Sequence, residues 1–386
     1  GAARLMPLHV LLLAPSRRAA SETFIRANLR GLPFRKTAVF GDERPLGRPL
    51  AFAHGLAVLL SKALTVLGLL RLASLPAACT TWLLLQRHRP DVMLVDFGFH
   101  AVRVMEAAGW SGVPLVVHFR GSDASSESKF QRLRDRYRRL FQLTDGLIVK
   151  SRPMQQALQS LGADSESMVI SPSGADPALF HGADPAAAPP RLLAVGRLVA
   201  KKGPLQTVQA FARLVARLDE PLRSRAELLI VGEGPLQDQL QEFVDDQQLS
   251  GQVRLLGLRS PQQIADLMRS ARGFVQHSVV APDGDSEGNP VAVMEAQLSG
   301  LPVVATRHAG IPEVVLDGDT GLLVEEEDVE AMAQAMGRLL LEPELAARLG
   351  AAGRRRVANG FTVQHHWSAV SGVLERSAAA RSPWTR

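Results

Sequence analysis

Short apolar runs bounded by turn residues alternate along this chain with longer stretches of helical period. Residues 9–14, 91–96, 113–118, 146–150 and 168–171 are continuous apolar runs, the pattern of strands buried on both faces of a parallel sheet. Residues 21–32 carry Phe24, Ile25 and Leu29 at helical spacing, with Ser21 as the predicted N-cap and Gly31 and Pro33 as the stop. Residues 129–140 read as a basic helix and 153–161 as a second. A Pro-rich patch at 186–190 reads as a linker, and beyond it the alternation starts again. Strands are predicted at 192–195, 226–231, 253–256, 273–276, 302–305 and 321–324. Helices are predicted at 204–218, 235–248, 261–270, 290–299, 329–340 and 346–357. Two blocks of strand–helix alternation predict an α/β protein of two facing, doubly wound Rossmann-like domains with a cleft between them. The expected division is 1–188, 189–358 and a C-terminal helix within 359–386 that crosses back to the first domain.

Residues 50–85 are strongly apolar, but Lys62, Arg71 and Pro76 interrupt them. No uncharged window reaches the roughly 20 residues that a membrane span needs, so buried or interfacial helices are expected, with membrane contact as the alternative. The run 9–14 is short and followed by Pro15, which reads as a first strand rather than a signal peptide. At 386 residues and 46% hydrophobic content there is material for two buried cores. Cys79 is the single cysteine, which excludes internal disulfides and cysteine metal clusters and fits a reducing compartment. The net charge of +6 points to anionic partners such as nucleotide phosphates or lipid head groups. One Tyr and few other aromatic residues argue against a base-stacking surface, so no nucleic-acid partner is expected.

The densest chemistry lies in 276–296, QHSVVAPDGDSEGNPVAVMEA, which reads as a strand end, an acidic loop and a helix. Glu287 at the mouth of the helix and Glu295 inside it are spaced E-x7-E, about two turns apart, so both carboxylates can face one side. Free N–H groups at the helix start suit an anion or a hydroxyl-rich ligand. The alternative is a solvated acid and an ordinary helical Glu. Residues 196–203, GRLVAKKG, lie between a strand and a helix, where α/β domains hold phosphates. There Arg197 and Lys202 can clamp a diphosphate, unless the turn is simply basic and solvated. Asp283-Gly284-Asp285 begins like a calcium loop, but Met294 stands where the twelfth-position Glu should be. An acidic turn, with no metal, is the better reading.

GRLVAKKG, VGEGPL, SEGNPVAVMEA and GLPVVATRHAGIPEVVLDGDTGLLV, in this order, resemble the donor-binding domain of family 4 retaining glycosyltransferases. SETFI, HFRGSD and VISPSGADPALF extend the resemblance over the first half. The resemblance is to members that build bacterial exopolysaccharides and lipopolysaccharides. It implies the GT-B fold and retaining transfer of a hexose from a nucleotide-diphosphate sugar, with no further cofactor. The acceptor would be a hydroxyl of a glycan, a lipid-linked sugar or a small molecule. It also implies roles. Arg197 and Lys202 would bind the diphosphate, and Glu287 would hold donor-sugar hydroxyls with help from the backbone of Gly288, Asn289 and Pro290. Glu295 would hold the ribose, Gly232 and Gly257 would lie beside the base, and His118 would contact the transferred sugar with Asp123 nearby. SPSGAD lacks the His of some relatives, and residues 14–20 lack the double glycine of many, which leaves Ser16, Ser21 and Thr23 to serve the phosphates, or Ser21 and Thr23 the acceptor. A cytoplasmic location, peripheral at the inner face of the membrane, is expected. An epimerase or hydrolase of the same fold, or a non-catalytic nucleotide-sugar binder, are the alternative functions.

Overall fold

The structure is a computed structural model that describes residues 7–16, 23–42, 49–121, 127–381 and 384, without the side chains of 23–26 and 127–130. Ser21 and Asp123 lie outside these residues, and of Thr23 only the backbone is described, at the start of the helix Thr23–Gly31.

Six strands form the first sheet: β1 (His9–Ala14), β2 (Arg35–Phe40), β3 (Val92–Asp96), β4 (Leu115–His118), β5 (Gly146–Val149) and β6 (Met168–Ile170). All pair in parallel, in the order β2-β1-β3-β4-β5-β6. Six more form the second sheet: β7 (Arg191–Val195), β8 (Glu227–Val231), β9 (Val253–Leu255), β10 (Gly273–Gln276), β11 (Val303–Thr306) and β12 (Gly321–Val324). Their order is β12-β11-β10-β7-β8-β9, again all parallel. Parallel sheets need cover on both faces, which is why these strands are apolar at nearly every position. Val10 to Ala14 of β1 are fully buried. Each sheet reverses its winding once, between β1 and β3 and between β7 and β10, and such switch points open a crevice at the carboxyl ends of the strands.

The chain divides into two compact units, Gly1–Ser171 with His366–Arg386, and Pro172–His365. The Pro-rich stretch at 186–190 is therefore not the linker that its composition suggests. Residues after Ser171 already belong to the second unit: Ala175 and Phe180 enter its core, and the Ala183 N–H donates to the Ser299 carbonyl at 2.9 Å. Arg272 secures the Pro-rich residues, donating to the carbonyls of Pro185 and Ala188. At the other end the last helix, Val363–Ala380, packs Val370, Val373 and Leu374 against β1, β3 and β4 in the first unit.

The apolar 50–85 stretch forms the helices Pro49–Val66 and Leu75–His88 around a short 3-10 turn, Leu72–Ser74. The first buries Ala51, His54, Gly55, Val58 and Ser61 and leaves Leu56, Leu59 and Leu60 more than half exposed. By length and composition it could cross a membrane, though 28% of it is buried within the fold. The basic helix Glu127–Leu143 is more than a solvated face. Arg132 donates to the Thr65 and Val66 carbonyls, which the end of the Pro49–Val66 helix leaves unsatisfied. Arg136 reaches Ser74 and Glu106.

Candidate active site

The second unit gathers its predicted residues at the β7/β10 switch point. β7 ends at Val195, and the turn that follows carries Arg197 and, in the 3-10 segment Ala200–Lys202, both lysines. Gly203 then opens the helix Pro204–Val215 in the left-handed region, at φ 55°. A Cβ there would lie 1.7 Å from the His277 carbonyl oxygen, so only glycine lets this turn close against the end of β10. Gly232, at φ 136° after β8, has the same constraint, because a Cβ would meet the Gly196 carbonyl oxygen at 1.9 Å. Its N–H donates to the Gly257 carbonyl at 3.0 Å, which joins the two predicted base-side glycines. A pocket results, with Gly196, Arg197, Leu198, Lys202, Thr207, Ile230 and Gln276 on its walls.

The electrostatics of this pocket centre on Lys202. Its ammonium lies 3.0 Å from Glu287 Oε1, and both side chains are largely buried. Burial would raise the Glu287 pKa, but Lys202 and Lys201 outweigh it and hold the carboxyl below its ordinary value. Glu295 lies about one turn into the helix Val291–Ser299, whereas Glu287 is in the loop before it, so the two are not two helical turns apart as their spacing predicts; both carboxylates nevertheless fall within the field of Lys202. Burial of Glu295 prevails there, and its pKa is pushed up to about 7. Arg197 is exposed and, among the described residues, makes no side-chain hydrogen bond or ion pair. The pocket therefore offers one uncommitted guanidinium and one ammonium tied to a carboxylate.

The acidic loop is closed by protein groups. Asp285 pairs with Lys201 at 3.1 Å, and its N–H donates to Asp283 Oδ1 at 3.1 Å. Among the described residues no group of three His, Cys, Asp or Glu side chains could hold a metal ion. Gly288 accepts from the Gly310 N–H at 3.1 Å, and buried Asn289 donates to the Gly310 carbonyl at 3.2 Å. Pro290 takes the N-cap position of the helix Val291–Ser299, with φ −67° and ψ 122°.

His308 was not among the predicted residues. It is buried, and its Nε2 accepts the Glu287 N–H at 3.1 Å. Its Nδ1 lies 2.6 Å from Glu326 Oε1, so the proton is placed on Nδ1, shared with that carboxylate. Glu326 thus orients His308, and His308 orients the backbone from which the Glu287 side chain projects.

His118, in the first unit, ends β4 and is fully buried. Its Nδ1 lies 3.5 Å from Asp96 Oδ1, which Arg120 holds through Nη2 at 2.6 Å and Nε at 3.0 Å. The His366 ring lies 5.4 Å away and is itself held by Ser171 at 2.7 Å. Burial, with Arg120, Lys150 and His366 close by, keeps the His118 pKa well below its usual value, so the ring is neutral. A neutral imidazole at a strand's carboxyl end can hydrogen-bond a hydroxyl.

Two doubly wound parallel sheets, with a basic pocket at the switch point of the second, define a protein of the GT-B glycosyltransferase class. Among solved structures, HepE of Anabaena in complex with UDP and glucose superposes with a TM-score of 0.74 at 19% identity, covering 96% of this chain and all of that one. Residues 182–356 match the family Glycosyl transferases group 1, and residues 21–179 match Glycosyltransferase Family 4. The chain belongs to this glycosyltransferase family. The amylovoran biosynthesis glycosyltransferase AmsK of Erwinia amylovora is 32% identical over 75% of this chain and 70% of its own length. WcaL of Escherichia coli K12, assigned to colanic acid biosynthesis, is 31% identical over 72% and 68%.

Proposed function

We propose that the enzyme moves a hexose from a nucleotide-diphosphate sugar to an acceptor hydroxyl in bacterial polysaccharide synthesis, with retention at the anomeric carbon. The observation that carries this reading is the Lys202 ammonium, 3.0 Å from Glu287 and on the same pocket wall as uncommitted Arg197. The two cations take the diphosphate and offset the charge that develops on it as the glycosidic bond breaks. Glu287 accepts from hydroxyls of the donor sugar and Glu295 from those of the ribose. The acceptor oxygen attacks the anomeric carbon from the face that the diphosphate leaves, and the acceptor proton passes to the departing phosphate oxygen. Neutral His118 steadies the sugar during this exchange.

HepE carries UDP and glucose, and AmsK and WcaL are named for exopolysaccharides, which supports both the donor class and the product class. We further propose that no divalent ion takes part, because the Asp285 carboxylate is engaged by Lys201 and Lys202 supplies the charge such an ion would bring. Turnover in excess EDTA checks this; recovery only with manganese or magnesium would oppose it.

A thermal-shift screen against UDP-, GDP- and ADP-sugars tests the donor class. A true donor at ~100 times its Kd should stabilise the protein by about 2.7 kcal/mol. Stabilisation by none of them, at millimolar concentration, would contradict the reading.

A further inference from the structure

We propose that Lys62, His100 and Arg103 of the first unit form an oxyanion-binding site, which takes a carboxylate or phosphate carried by the acceptor. Only the word acceptor rests on the transfer reaction proposed above; the oxyanion site itself stands on its own geometry.

The site lies where the first sheet reverses. The helix Gly98–Val104 leaves the carboxyl end of β3, beside β1, at the point where doubly wound sheets hold ligands. His100 and Arg103 are on this helix, and His54 and Lys62 are on the helix Pro49–Val66 that follows β2. His54 and His100 are fully buried, with rings 6.5 Å apart and edge to face. His54 Nδ1 lies 2.9 Å from Thr80 Oγ1, but its Nε2 has no hydrogen-bond partner, and neither has either nitrogen of His100. Arg103 sits over the Phe99 ring at 5.6 Å, partly buried. It makes no ion pair among the described residues, and its buried Nη1 has no partner. Lys62 is exposed at the surface end of the cluster.

Four basic side chains thus converge, and among the described residues Asp42, which also accepts from Ser16 at 2.7 Å, is the one acidic group that acts on them. Tyr137, on the helix Glu127–Leu143, also acts on Arg103. The strain of this arrangement shows in the protonation equilibria. Burial, then Arg103, depresses the Lys62 pKa, and burial brings Arg103 down to about 10. Burial, then Arg103, His54 and Lys62, pushes His100 well down. Arg103 remains a cation at neutral pH all the same. Buried charges are ordinarily paired, and buried polar nitrogens ordinarily bonded. An oxyanion held by the Arg103 fork would meet both needs, and a guanidinium suits carboxylate and phosphate alike.

The test uses the full chain carrying Arg197→Ala and Lys202→Ala, so that the pocket of the second unit no longer holds phosphate. Inorganic phosphate and glucuronate are titrated separately by calorimetry. Binding of either supports the site, and which one binds tells phosphate from carboxylate. Adding Arg103→Gln should weaken that binding at least tenfold, and adding Lys62→Gln should weaken it severalfold. Lys62 is exposed, so the second variant reports even if the first fails to fold. Binding of neither anion, or binding that ignores both substitutions, would overturn the proposal. Titrating a nucleoside diphosphate into the unsubstituted chain reports on the donor reading separately, so either can fail without the other.

Discussion

Lys202 and the two glutamates divide one task between opposite environments. Glu287, at 3.0 Å from Lys202, is held ionised below its ordinary pKa, whereas Glu295, inside the helix Val291–Ser299, is pushed up to about 7 by burial. The consequence for stability has a definite sign. The unfolded Glu295 releases its proton near 4.5 and the folded one near 7, so the native chain binds the proton more tightly in that interval. This group contributes stability at low pH that is lost as pH rises from about 4.5 to about 7. Glu295→Gln should remove that slope, worth up to about 3 kcal/mol, in denaturant unfolding measured across the same pH range. An identical slope in the variant would show that the carboxyl is not desolvated. The two residues should also separate by ligand. Glu295→Ala should weaken a nucleoside diphosphate with no sugar attached, while Glu287→Ala should weaken only the nucleotide sugar. Calorimetry that finds equal losses for both ligands in both variants would dissolve this division. The E-x7-E spacing was readable in the chain, but His308 was not. It meets Glu287 and Glu326 across 21 and 18 residues, and nothing in a run of letters marks a contact of that kind.

At the scale of elements, the apolar runs bounded by turn residues match eleven of the twelve strands to within two residues, and β1, β10 and β12 to the residue. Burial on both faces makes such runs continuous, which is why they stand out. β2 carries no such run because it opens with Arg35 and Lys36 at the sheet edge, where half-exposed polar residues are tolerated. The helices Gly98–Val104 and Glu106–Ser111 are each too short to show a period. The Pro-rich stretch misled for another reason: composition marks a turn, but Arg272 and the core contacts of Phe180 decide what it packs on. The loops around the pocket depend on close backbone approach. Gly232→Ala would put a Cβ where the Gly196 carbonyl now lies, at a φ that L-residues rarely adopt. It should destabilise the protein by about 1–3 kcal/mol and weaken nucleotide binding with it. Thermal unfolding together with nucleoside diphosphate titration checks this, and a variant unchanged in both would mean that the β8 loop is not part of the pocket.

For the whole molecule, the chemistry is unevenly spread. The second unit holds the pocket, the lysines and both glutamates, and the first holds His118 and the apolar helices. Leu56, Leu59, Leu60, Val66 and Leu67 are all more than half exposed, and Arg134 and Arg138 of the Glu127–Leu143 helix are exposed as well. Exposed apolar side chains beside exposed Arg132, which donates to the Val66 carbonyl, suit an anionic bilayer surface, as would serve a lipid-linked acceptor. Sedimentation with vesicles containing anionic lipid should bring the protein down at low salt, less so at physiological salt, and Leu56→Ser/Leu60→Ser should reduce it. Failure to sediment at either salt would favour a soluble acceptor. The assignment of the pocket underlies everything else, and turnover tests it most directly. Release of nucleoside diphosphate in the presence of acceptor should fall ~10²–10³-fold in Arg197→Ala and in Lys202→Ala, the scale expected when a group that stabilises the transition state is lost. Near-normal turnover in both variants would contradict the account, because the diphosphate would then have to bind elsewhere.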